Sequence, residues 1–387
     1  MDETVTLTQE LVRIRSENPT GNEAAVAKRI EAYLLNLGID VERDAVEEGR
    51  DNLIAELGGA SNKPALVFLN HMDTVPAGEG WTRDPFAAEI SDGKMWGRGT
   101  CDMKGGLAAG LAAFKRLKSK ADQGARLLRP VRCCLVVDEE SSWMRGVSAA
   151  VEREWIGNED LVLSCEPTSL ELKSAQKGAM WYEAVFSGKS AHAASPENGA
   201  DAIQAAAKMV LLLQEVSSGM DSSHSLLGRT TIVTSVIGGG KKTNIVADEC
   251  RMEVDVRFIP PLGISQVRTL LEDTAAGACR SVPGTSAEIR VLSVDRPPVL
   301  SDPKSEGAGL IGEALREMIG VDSGAGGVSY YSDAGLAAAR TGNRQCFLLG
   351  PGNIAQAHGP DEFVEIEELK KAALVFGRLA ERFAFDK

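Results

Sequence analysis

The chain has 387 residues, of which 43% are hydrophobic and 25% charged, and its formal net charge is -13 at pH 7. This length exceeds the size at which a single hydrophobic core usually stops growing, so two domains are expected, and the composition argues against disorder. Phosphate binding needs clustered Lys and Arg, so the acidic balance argues against a nucleic-acid partner and favours small-molecule ligands.

The first half of the chain alternates between helical and extended patterns. A helix is predicted over Glu23 to Leu37, where apolar residues fall on one face and Gly38 is a fitting stop. The later elements are a helix from Met103 to Leu117 and apolar strands at Asn52 to Leu57, Ala65 to Asn70, Val131 to Val137 and Leu161 to Ser164. Apolar strands without alternation are typical of a mostly parallel sheet flanked by helices, which places this region in the α/β class.

The pattern changes after Lys177-Gly178, where apolar and polar residues alternate as in half-buried antiparallel strands. The predicted order is strand, helix, strand, strand, helix, strand: Trp181 to Phe186, Ala200 to Leu213, Thr230 to Ile237, Arg251 to Arg257, Ser265 to Ala275 and Ala287 to Leu292. This is the order of a small ferredoxin-like α+β domain. From Pro297 the helix and buried-strand pattern returns. We therefore expect residues 178–292 to be inserted into a domain made of residues 1–177 and 293–387.

Acidic residues occupy the N-terminal segment, Met1-Asp2-Glu3-Thr4, where a secretory signal would carry positive charge. With no stretch long and apolar enough to span a bilayer, the sequence predicts a cytoplasmic protein without a membrane partner. The seven cysteines lack the paired spacing of a zinc ribbon. Cys101 and Cys165 lie beside candidate ligands, but neither has the basic neighbour that a catalytic thiol needs, so a packing role is favoured for both.

Carboxylates and histidines follow the predicted strands at the points where they end. They are His71, Glu139, Glu140, Glu166 and His358. Ligands of open α/β sheets bind at the carboxyl ends of the strands, so these side chains are expected to converge. Asp102 lies in a glycine-rich loop just before a helix, where glycines permit tight turns close to a ligand. Carboxylate and imidazole donors without a Cys ligand suit zinc, with cobalt or manganese as alternatives.

Each of these residues has an ordinary structural interpretation when it is considered alone. A single Asp after a strand is usually a turn or a helix cap, and adjacent carboxylates are usually just solvated. The pair Glu139-Glu140 directly follows a buried strand. Burial makes unpaired charges expensive, and a metal ion would compensate them. The joint pattern therefore favours a metal site.

These residues belong to motifs that occur in order along the chain. They are His71-Met72-Asp73-Thr74-Val75-Pro76, Gly97-Arg98-Gly99-Thr100-Cys101-Asp102-Met103-Lys104-Gly105, Asp138-Glu139-Glu140, Glu166-Pro167-Thr168, and Gly350-Pro351-Gly352 through His358. With them the sequence resembles the dinuclear-zinc aminoacylase and carboxypeptidase family, which includes acetylornithine deacetylase, succinyl-diaminopimelate desuccinylase and the glutamate-releasing carboxypeptidase. The resemblance covers nearly the whole chain. It implies a zinc-peptidase catalytic domain with an inserted lid and dimerisation domain.

The resemblance also implies roles for the candidate residues. Asp102 would bridge two zinc ions, with His71 and Glu166 completing one site and Glu140 and His358 the other. Asp73 would hydrogen-bond His71 and fix its tautomer. Glu139 would be the general base that takes a proton from a metal-activated water and passes it to the departing amine.

The inserted region carries further motifs of this family. Gly188-Lys189-Ser190-Ala191-His192-Ala193-Ala194-Ser195-Pro196 is similar to the lid motif, whose histidine reaches the active site of the other subunit and stabilises the oxyanion. A homodimer through the inserted domain is therefore expected. Asn244 and Arg257 match the clamp on the substrate carboxylate. Taken alone, His192 would more often be a surface or capping residue, and Arg257 a surface salt bridge.

The loop from Gly350 to His358 is most similar to the acetylornithine deacetylase branch. It predicts an enzyme that removes the acyl group from a small N-acyl amino acid. A dipeptidase or glutamate-releasing carboxypeptidase is the alternative within the same chemistry, and a catalytically silent ligand-binding relative is the alternative from another class. Trp143 departs from the family, which usually has small residues after Glu140. It either lines the pocket or packs under the sheet.

Overall fold

A computed structural model describes residues 2–58, 63–322 and 324–385 of the chain. The helices of this part are α1 (Glu3–Val12), α2 (Ala24–Asn36), α3 (Gly105–Asp122), α4 (Arg145–Glu152), α5 (Ala202–Gly219), α6 (Ile264–Ser281), α7 (Glu306–Ile319), α8 (Asp333–Thr341) and α9 (Ile366–Phe385). Short helical turns lie at Thr100–Lys104, Pro196–Asn198 and Ile354–Gln356. No helix among the residues described is long and apolar enough to cross a lipid bilayer.

The strands are mostly short, and β3, β6 and β7 each end at a candidate ligand or within three residues of one. They are β1 (Glu42–Glu47), β2 (Arg50–Leu57), β3 (Leu66–His71), β4 (Glu89–Ser91), β5 (Lys94–Trp96), β6 (Val131–Val136), β7 (Leu161–Ser164), β8 (Lys173–Gln176), β9 (Gly178–Ser187), β10 (Ser223–His224), β11 (Gly228–Arg229), β12 (Thr231–Gly239), β13 (Glu249–Phe258), β14 (Ser286–Val291), β15 (Val299–Leu300), β16 (Gly326–Val328), β17 (Cys346–Leu348) and β18 (Phe363–Glu365).

The chain divides into two compact units. Unit 1 contains the described residues of Met1–Ala175, Leu300–Gly327 and Ser332–Lys387. Unit 2 contains Gln176–Val299 and Val328–Tyr331.

The main sheet has the strand order β1-β2-β6-β3-β7-β17-β8-β15, with β16 paired to β8. Its four central strands, β6, β3, β7 and β17, are parallel to one another. Antiparallel strands flank them, because β1 and β2 on one side and β8 on the other run in the opposite direction to their neighbours. The predicted α/β class with a mainly parallel central sheet is confirmed.

Helices cover both faces of the central strands in unit 1. The apolar residues of α2, α3, α7 and α9 form one core with the side chains of β3, β6 and β7 that point to that face, among them Phe68 against Phe376 at 5.8 Å between ring centroids. Helices α4 and α8 contact each other and the same sheet but contribute no residue to this core, so they cover the opposite face. Burial on both faces explains why the central strands are apolar without alternation.

Capping residues set the ends of several helices in unit 1. The carboxylate of Asp2 accepts the N–H of Thr4 at 2.9 Å at the start of α1. The hydroxyl of Ser305 accepts the N–H of Ala308 at 3.3 Å at the start of α7, and this helix ends at Gly320, whose φ is 70°. Short polar side chains and glycine fit these positions because they satisfy the free main-chain groups and tolerate the left-handed turn.

Unit 2 has a four-stranded antiparallel sheet with the order β12-β13-β9-β14. Alternate residues of β9 and β13, such as Phe186 and Met252, pack against α5 and α6 in one core. The other face carries charged residues, including Glu183, which pairs with Arg251 at 3.4 Å and with Arg290 at 3.6 Å. The chain order β9, α5, β12, β13, α6, β14 is the predicted ferredoxin-like arrangement.

Candidate metal centre

The carboxyl ends of β3, β6 and β7 deliver the first candidate ligands. His71 is the last residue of β3, Glu139 and Glu140 come shortly after β6, and Glu166 comes shortly after β7. Since these strands are parallel neighbours, their carboxyl ends lie at one edge of the sheet. His358 follows β17 on a longer loop and has a φ of 64°, in the left-handed region that is uncommon for a residue other than glycine.

Asp102 lies between the two histidines. Its Oδ1 is 3.1 Å from Nε2 of His71, and its Oδ2 is 3.3 Å from Nε2 of His358. Glu166 Oε1 is 4.0 Å from the His71 nitrogen, and Glu140 Oε1 is 3.3 Å from the His358 nitrogen. The five predicted ligands therefore form two groups that share the carboxylate of Asp102.

The donor atoms fit a metal ion in spacing and chemistry. One atom each of His71, Asp102 and Glu140 lie within 4.8 Å of one another. Oxygen and imidazole nitrogen donors without a thiolate suit zinc and other borderline divalent cations. This part of the chain could hold metal.

The electrostatics of the cluster also fit a cation. Burial, together with repulsion from neighbouring carboxylates, raises the pKa of Glu139, Glu140 and Glu166 above the ordinary glutamate value. Hydrogen bonds to Asp102 and Glu140 raise the pKa of His358 to about 10. Without a metal ion, the three glutamates are close enough to repel one another and hold protons readily. Divalent cations would replace those protons.

The turn that carries Asp102 is irregular. Asp102 has φ −122° and ψ 97° within the turn Thr100–Lys104, and its peptide bond to Met103 is cis. Gly99, just before the turn, has a φ of 84°, and a Cβ there would lie 2.7 Å from Cγ2 of Thr74. Only glycine fits this position, because the backbone is left-handed and the space is closed.

Asp73 contacts the site differently from the prediction. Nδ1 of His71 is 2.9 Å from the main-chain carbonyl oxygen of Asp73, whereas the carboxylate Oδ1 is 3.6 Å away. The carboxylate instead accepts the N–H groups of Glu139 at 3.2 Å and Glu140 at 3.0 Å. The carbonyl of Asp73 can only accept, so it fixes the tautomer of His71 through the main chain. The side chain of Asp73 positions Glu139 and Glu140.

A buried polar network extends from Asp73, and sequence reasoning did not predict it. The amide of Asn18 donates to Asp73 at 2.9 Å and to Asp138 at 3.2 Å. Arg50 pairs with Asp138 at 3.0 Å and with the fully buried Glu23. Nothing in the local sequence around Asn18 or Arg50 indicates these contacts, because each joins residues far apart in the chain.

Trp143 is exposed, whereas Cys101 and Cys165 are buried. Trp143 is 45% exposed, so the interpretation in which it packs under the sheet is wrong, and lining of the pocket stays a prediction. Cys101 and Cys165 are buried, and burial raises the pKa of both thiols well above the ordinary cysteine value. A thiol held protonated is a poor nucleophile, which agrees with a packing role.

The other predicted site residues belong to unit 2. Nδ1 of the exposed His192 accepts the N–H of Ala194 at 3.1 Å, and the N–H of Ala193 donates to the carbonyl of Asn244 at 3.1 Å. His192 and Asn244 therefore lie on adjacent segments, with Nε2 of His192 not used in the contact to Ala194. The roles of both residues stay predictions.

Arg257 has its guanidinium group engaged by a neighbour. Its Nε and Nη2 donate to the two carboxylate oxygens of Asp255 at 2.7 and 2.9 Å. The same carboxylate accepts the indole N–H of Trp181 at 2.7 Å. A substrate carboxylate would compete with Asp255 for this guanidinium, and the clamp role of Arg257 stays a prediction.

Comparisons with known proteins identify similar chains. Acetylornithine deacetylase of Proteus mirabilis is 29% identical over 369 residues, which cover 94% of this chain and 90% of the relative. A probable succinyl-diaminopimelate desuccinylase of Staphylococcus aureus is 28% identical over 421 residues, which cover 100% of this chain and 98% of the relative. The crystal structure of an M20 family metallo-carboxypeptidase from Sulfolobus solfataricus superimposes with a TM-score of 0.80 at 19% identity, covering 99% of both chains.

The profile of peptidase family M20/M25/M40 matches residues 67–382, which include all five predicted metal ligands. The resemblance predicted from the motifs is thereby confirmed, and with it the hydrolase class. The chain belongs to peptidase family M20/M25/M40.

Proposed function

We propose that this protein is a metal-dependent amidohydrolase that removes the acyl group from a small N-acyl amino acid, in the manner of an acetylornithine deacetylase. The observation that carries the proposal is the position of Asp102, whose two oxygens face two histidines of separate ligand groups. Similarity to deacylases over nearly the full chain supports the reaction type.

Two zinc ions are the proposed cofactors, with cobalt or manganese as possible substitutes. One would be held by His71 and Glu166, the other by Glu140 and His358, and Asp102 would be shared. When bound, such a pair acidifies a water molecule and polarises a carbonyl group. The buried carboxylates fit this role because they are the hard oxygen donors that can offset the charge of two divalent cations.

Glu139 is the proposed general base. Burial is the main reason that its pKa is raised, and repulsion from Glu140 adds to it, so Glu139 accepts a proton readily. It takes the proton from the attacking water as the new C–O bond forms. As the C–N bond breaks, it delivers that proton to the departing amine nitrogen. The carboxylate of Asp73 orients Glu139 because it accepts a hydrogen bond from the main-chain N–H of Glu139.

The residues of unit 2 have proposed roles in substrate binding. Arg257 and Asn244 would bind the substrate carboxylate, for which a guanidinium fork is suited. His192 would donate from its Nε2 to the oxyanion in the active site of the other subunit. Unit 2 then acts as a lid and dimerisation domain, and the protein is a homodimer.

A dipeptidase or glutamate-releasing carboxypeptidase is the second candidate. The observation that favours this candidate is the similarity in fold to a metallo-carboxypeptidase. A screen of N-acetyl, N-succinyl, N-carbamoyl and aromatic N-acyl amino acids beside dipeptides, with zinc and with cobalt, separates the two. Faster turnover of dipeptides than of every N-acyl amino acid would favour the peptidase.

Removal of metal tests the mechanism as a whole. Treatment with EDTA should abolish turnover, and added zinc should restore it. Turnover that persists in metal-free protein would exclude the proposed mechanism. Metal analysis of the purified protein tests the silent-relative alternative, which predicts no stoichiometric metal.

Substitution of Glu139 tests its role. Glu139→Ala should keep its metal and lose about 100-fold to 10,000-fold in kcat, the range that general-base catalysis supplies. Glu79→Ala, which removes an exposed carboxylate, is the matched control and should be unchanged. A Glu139→Ala protein with normal kcat would remove Glu139 from the proposed role.

Mixing of subunits tests the action of His192 across the dimer. The single variants His192→Ala and Glu139→Ala should each be nearly inactive. After exchange of subunits, a heterodimer contains one active site with both wild-type residues, so activity should return. No recovery despite measured exchange would contradict a shared active site.

A further inference from the structure

A buried ion pair joins the two loops that carry Asp102 and His358. Arg98 and Glu362 are each 1% exposed, and Nη1 of Arg98 donates to Oε2 of Glu362. Neither charge could stay at such burial without the other, because the loss of one partner leaves an uncompensated buried charge. Both residues lie outside the ligand set and the general base proposed above.

The second oxygen of Glu362 holds the main chain at Asp102. Oε1 accepts the N–H of Cys101 at 2.9 Å and the N–H of Asp102 at 3.2 Å. Hydrogen bonds to a carboxylate are stronger than those to a neutral acceptor. They fix the irregular turn from which the Asp102 carboxylate reaches both histidines.

The second arm of Arg98 holds the main chain beside His358. Nη2 donates to the carbonyl of Gly359 at 3.1 Å and to the carbonyl of Ala77 at 3.2 Å. The guanidinium also lies over the ring of Trp81, with 5.3 Å from Cζ to the ring centroid. Because Gly359 follows His358, this contact constrains the residue whose backbone has the unusual positive φ.

We propose that Arg98 and Glu362 are positioning residues that fix Asp102 relative to His358 and so set the affinity for the metal ion held by Glu140 and His358. The inference rests on the proposed two-metal site. The other proposed ligand pair, His71 and Glu166, stands on β3 and just after β7 within the main sheet. Both pairs share Asp102, but only the pair of Glu140 and His358 also depends on the main chain at Gly359 that Arg98 holds. The affinity of the pair of His71 and Glu166 should therefore depend less on Arg98.

Arg98→Lys is the informative substitution. Lysine keeps the positive charge beside Glu362 but carries it on a single nitrogen. It cannot reproduce the planar fork that contacts Glu362, Gly359 and Ala77 together. The variant therefore separates the positioning role from the mere neutralisation of a buried acid.

Titration of the metal-free protein with Co²⁺, followed by visible absorption and calorimetry, measures the affinity for each ion. The wild type should bind two equivalents. Arg98→Lys should bind one ion within about threefold of the wild-type affinity and the other about 10-fold to 100-fold more weakly, the usual effect of losing a residue that orients a ligand. His358→Ala, which lacks a proposed ligand, identifies the spectrum of the weakened site.

Glu381→Gln is the matched control. Glu381 is a buried acid on α9 that pairs with Arg116 of α3 at 2.6 Å, and none of its ion pairs among the described residues involves a proposed ligand. The Glu381→Gln variant should be less stable than the wild type and should bind both cobalt ions with unchanged affinity. Glu362→Gln, which keeps an acceptor oxygen for the two N–H groups, should weaken the same site as Arg98→Lys and provides the test if that variant does not fold.

Two outcomes would overturn the positioning role: wild-type affinity for both ions in the variants, or equal weakening of both. In either case the wild type would still bind two equivalents, and the proposed function would stand. A wild-type protein that binds no cobalt would instead refute the proposed function.

Discussion

Replacement of Gly106 by alanine tests the close packing that sets Glu166 beside Asp102. Gly106 lies in the first turn of α3, and a Cβ there would be 2.0 Å from the carbonyl oxygen of Cys165. A normal contact needs about 3.4 Å, so the two segments would have to separate by about 1.4 Å. Because Cys165 directly precedes Glu166, this movement would carry Glu166 away from the rest of the site.

The magnitude follows from two opposing effects. Forcing extra volume into a packed interior costs about 1–3 kcal/mol. Alanine in place of glycine within a helix stabilises the folded state by about 1 kcal/mol. Gly110→Ala is a matched control in the same helix, since its Cβ would meet the nearest atom at an ordinary 3.6 Å. Gly106 lies in the first turn of α3, where the helix gain is no larger than at Gly110, so Gly106→Ala should be less stable than Gly110→Ala by at least about 1–3 kcal/mol.

Urea unfolding of the metal-free proteins measures this difference, and titration with zinc measures the effect on the site. Gly110→Ala should be as stable as the wild type or slightly more stable, with unchanged zinc affinity. Gly106→Ala should be less stable and bind zinc more weakly. Equal stability of the two variants would show that the contact with Cys165 relaxes at no cost, and the reasoning would be refuted.

Three further predictions concern the whole protein. Asn18→Ala should lower the free energy of unfolding by about 3 kcal/mol, because its amide loses hydrogen bonds to two buried carboxylates; a loss below about 1 kcal/mol in urea unfolding would contradict this. Although burial opposes it, ion pairs lower the pKa of Glu381, so its contribution to stability is present at neutral pH and is lost as the pH falls through that pKa. Glu381→Gln should thus differ from the wild type in thermal unfolding at neutral pH, and the difference should shrink in acid. Removal of metal should lower the melting temperature, and the temperature should rise again with added zinc, since an ion that binds only the folded state stabilises it.

The sequence by itself determined the class of fold and the approximate positions of the elements. Apolar runs without alternation mark strands buried on both faces, and alternation marks strands buried on one, so the parallel sheet and the inserted antiparallel sheet were both predictable. The residues at which helices and strands end were less predictable. Helix α5 continues to Gly219, beyond the predicted end at Leu213, because the polar residues of its last turns are compatible with an exposed helix end.

The candidate ligands were also predictable, since parallel strands bring their carboxyl ends to one edge whatever the loops between them do. Only the tertiary structure decided how those ligands are held. The contact of Glu362 with the N–H groups of Cys101 and Asp102 joins residues more than 250 positions apart. The carboxylate of Asp73 faces Glu139 and Glu140 rather than His71.

The physical reason for this division is that the two kinds of information have different ranges. Burial of a strand or of a helix face follows the periodicity of neighbouring residues, so it can be predicted from a short stretch of sequence. The partner of a buried polar group depends on which donors and acceptors compete for it once the chain has closed. The sequence could thus name the residues of the candidate site, while the folded chain decided which of them lie together and which residues position them.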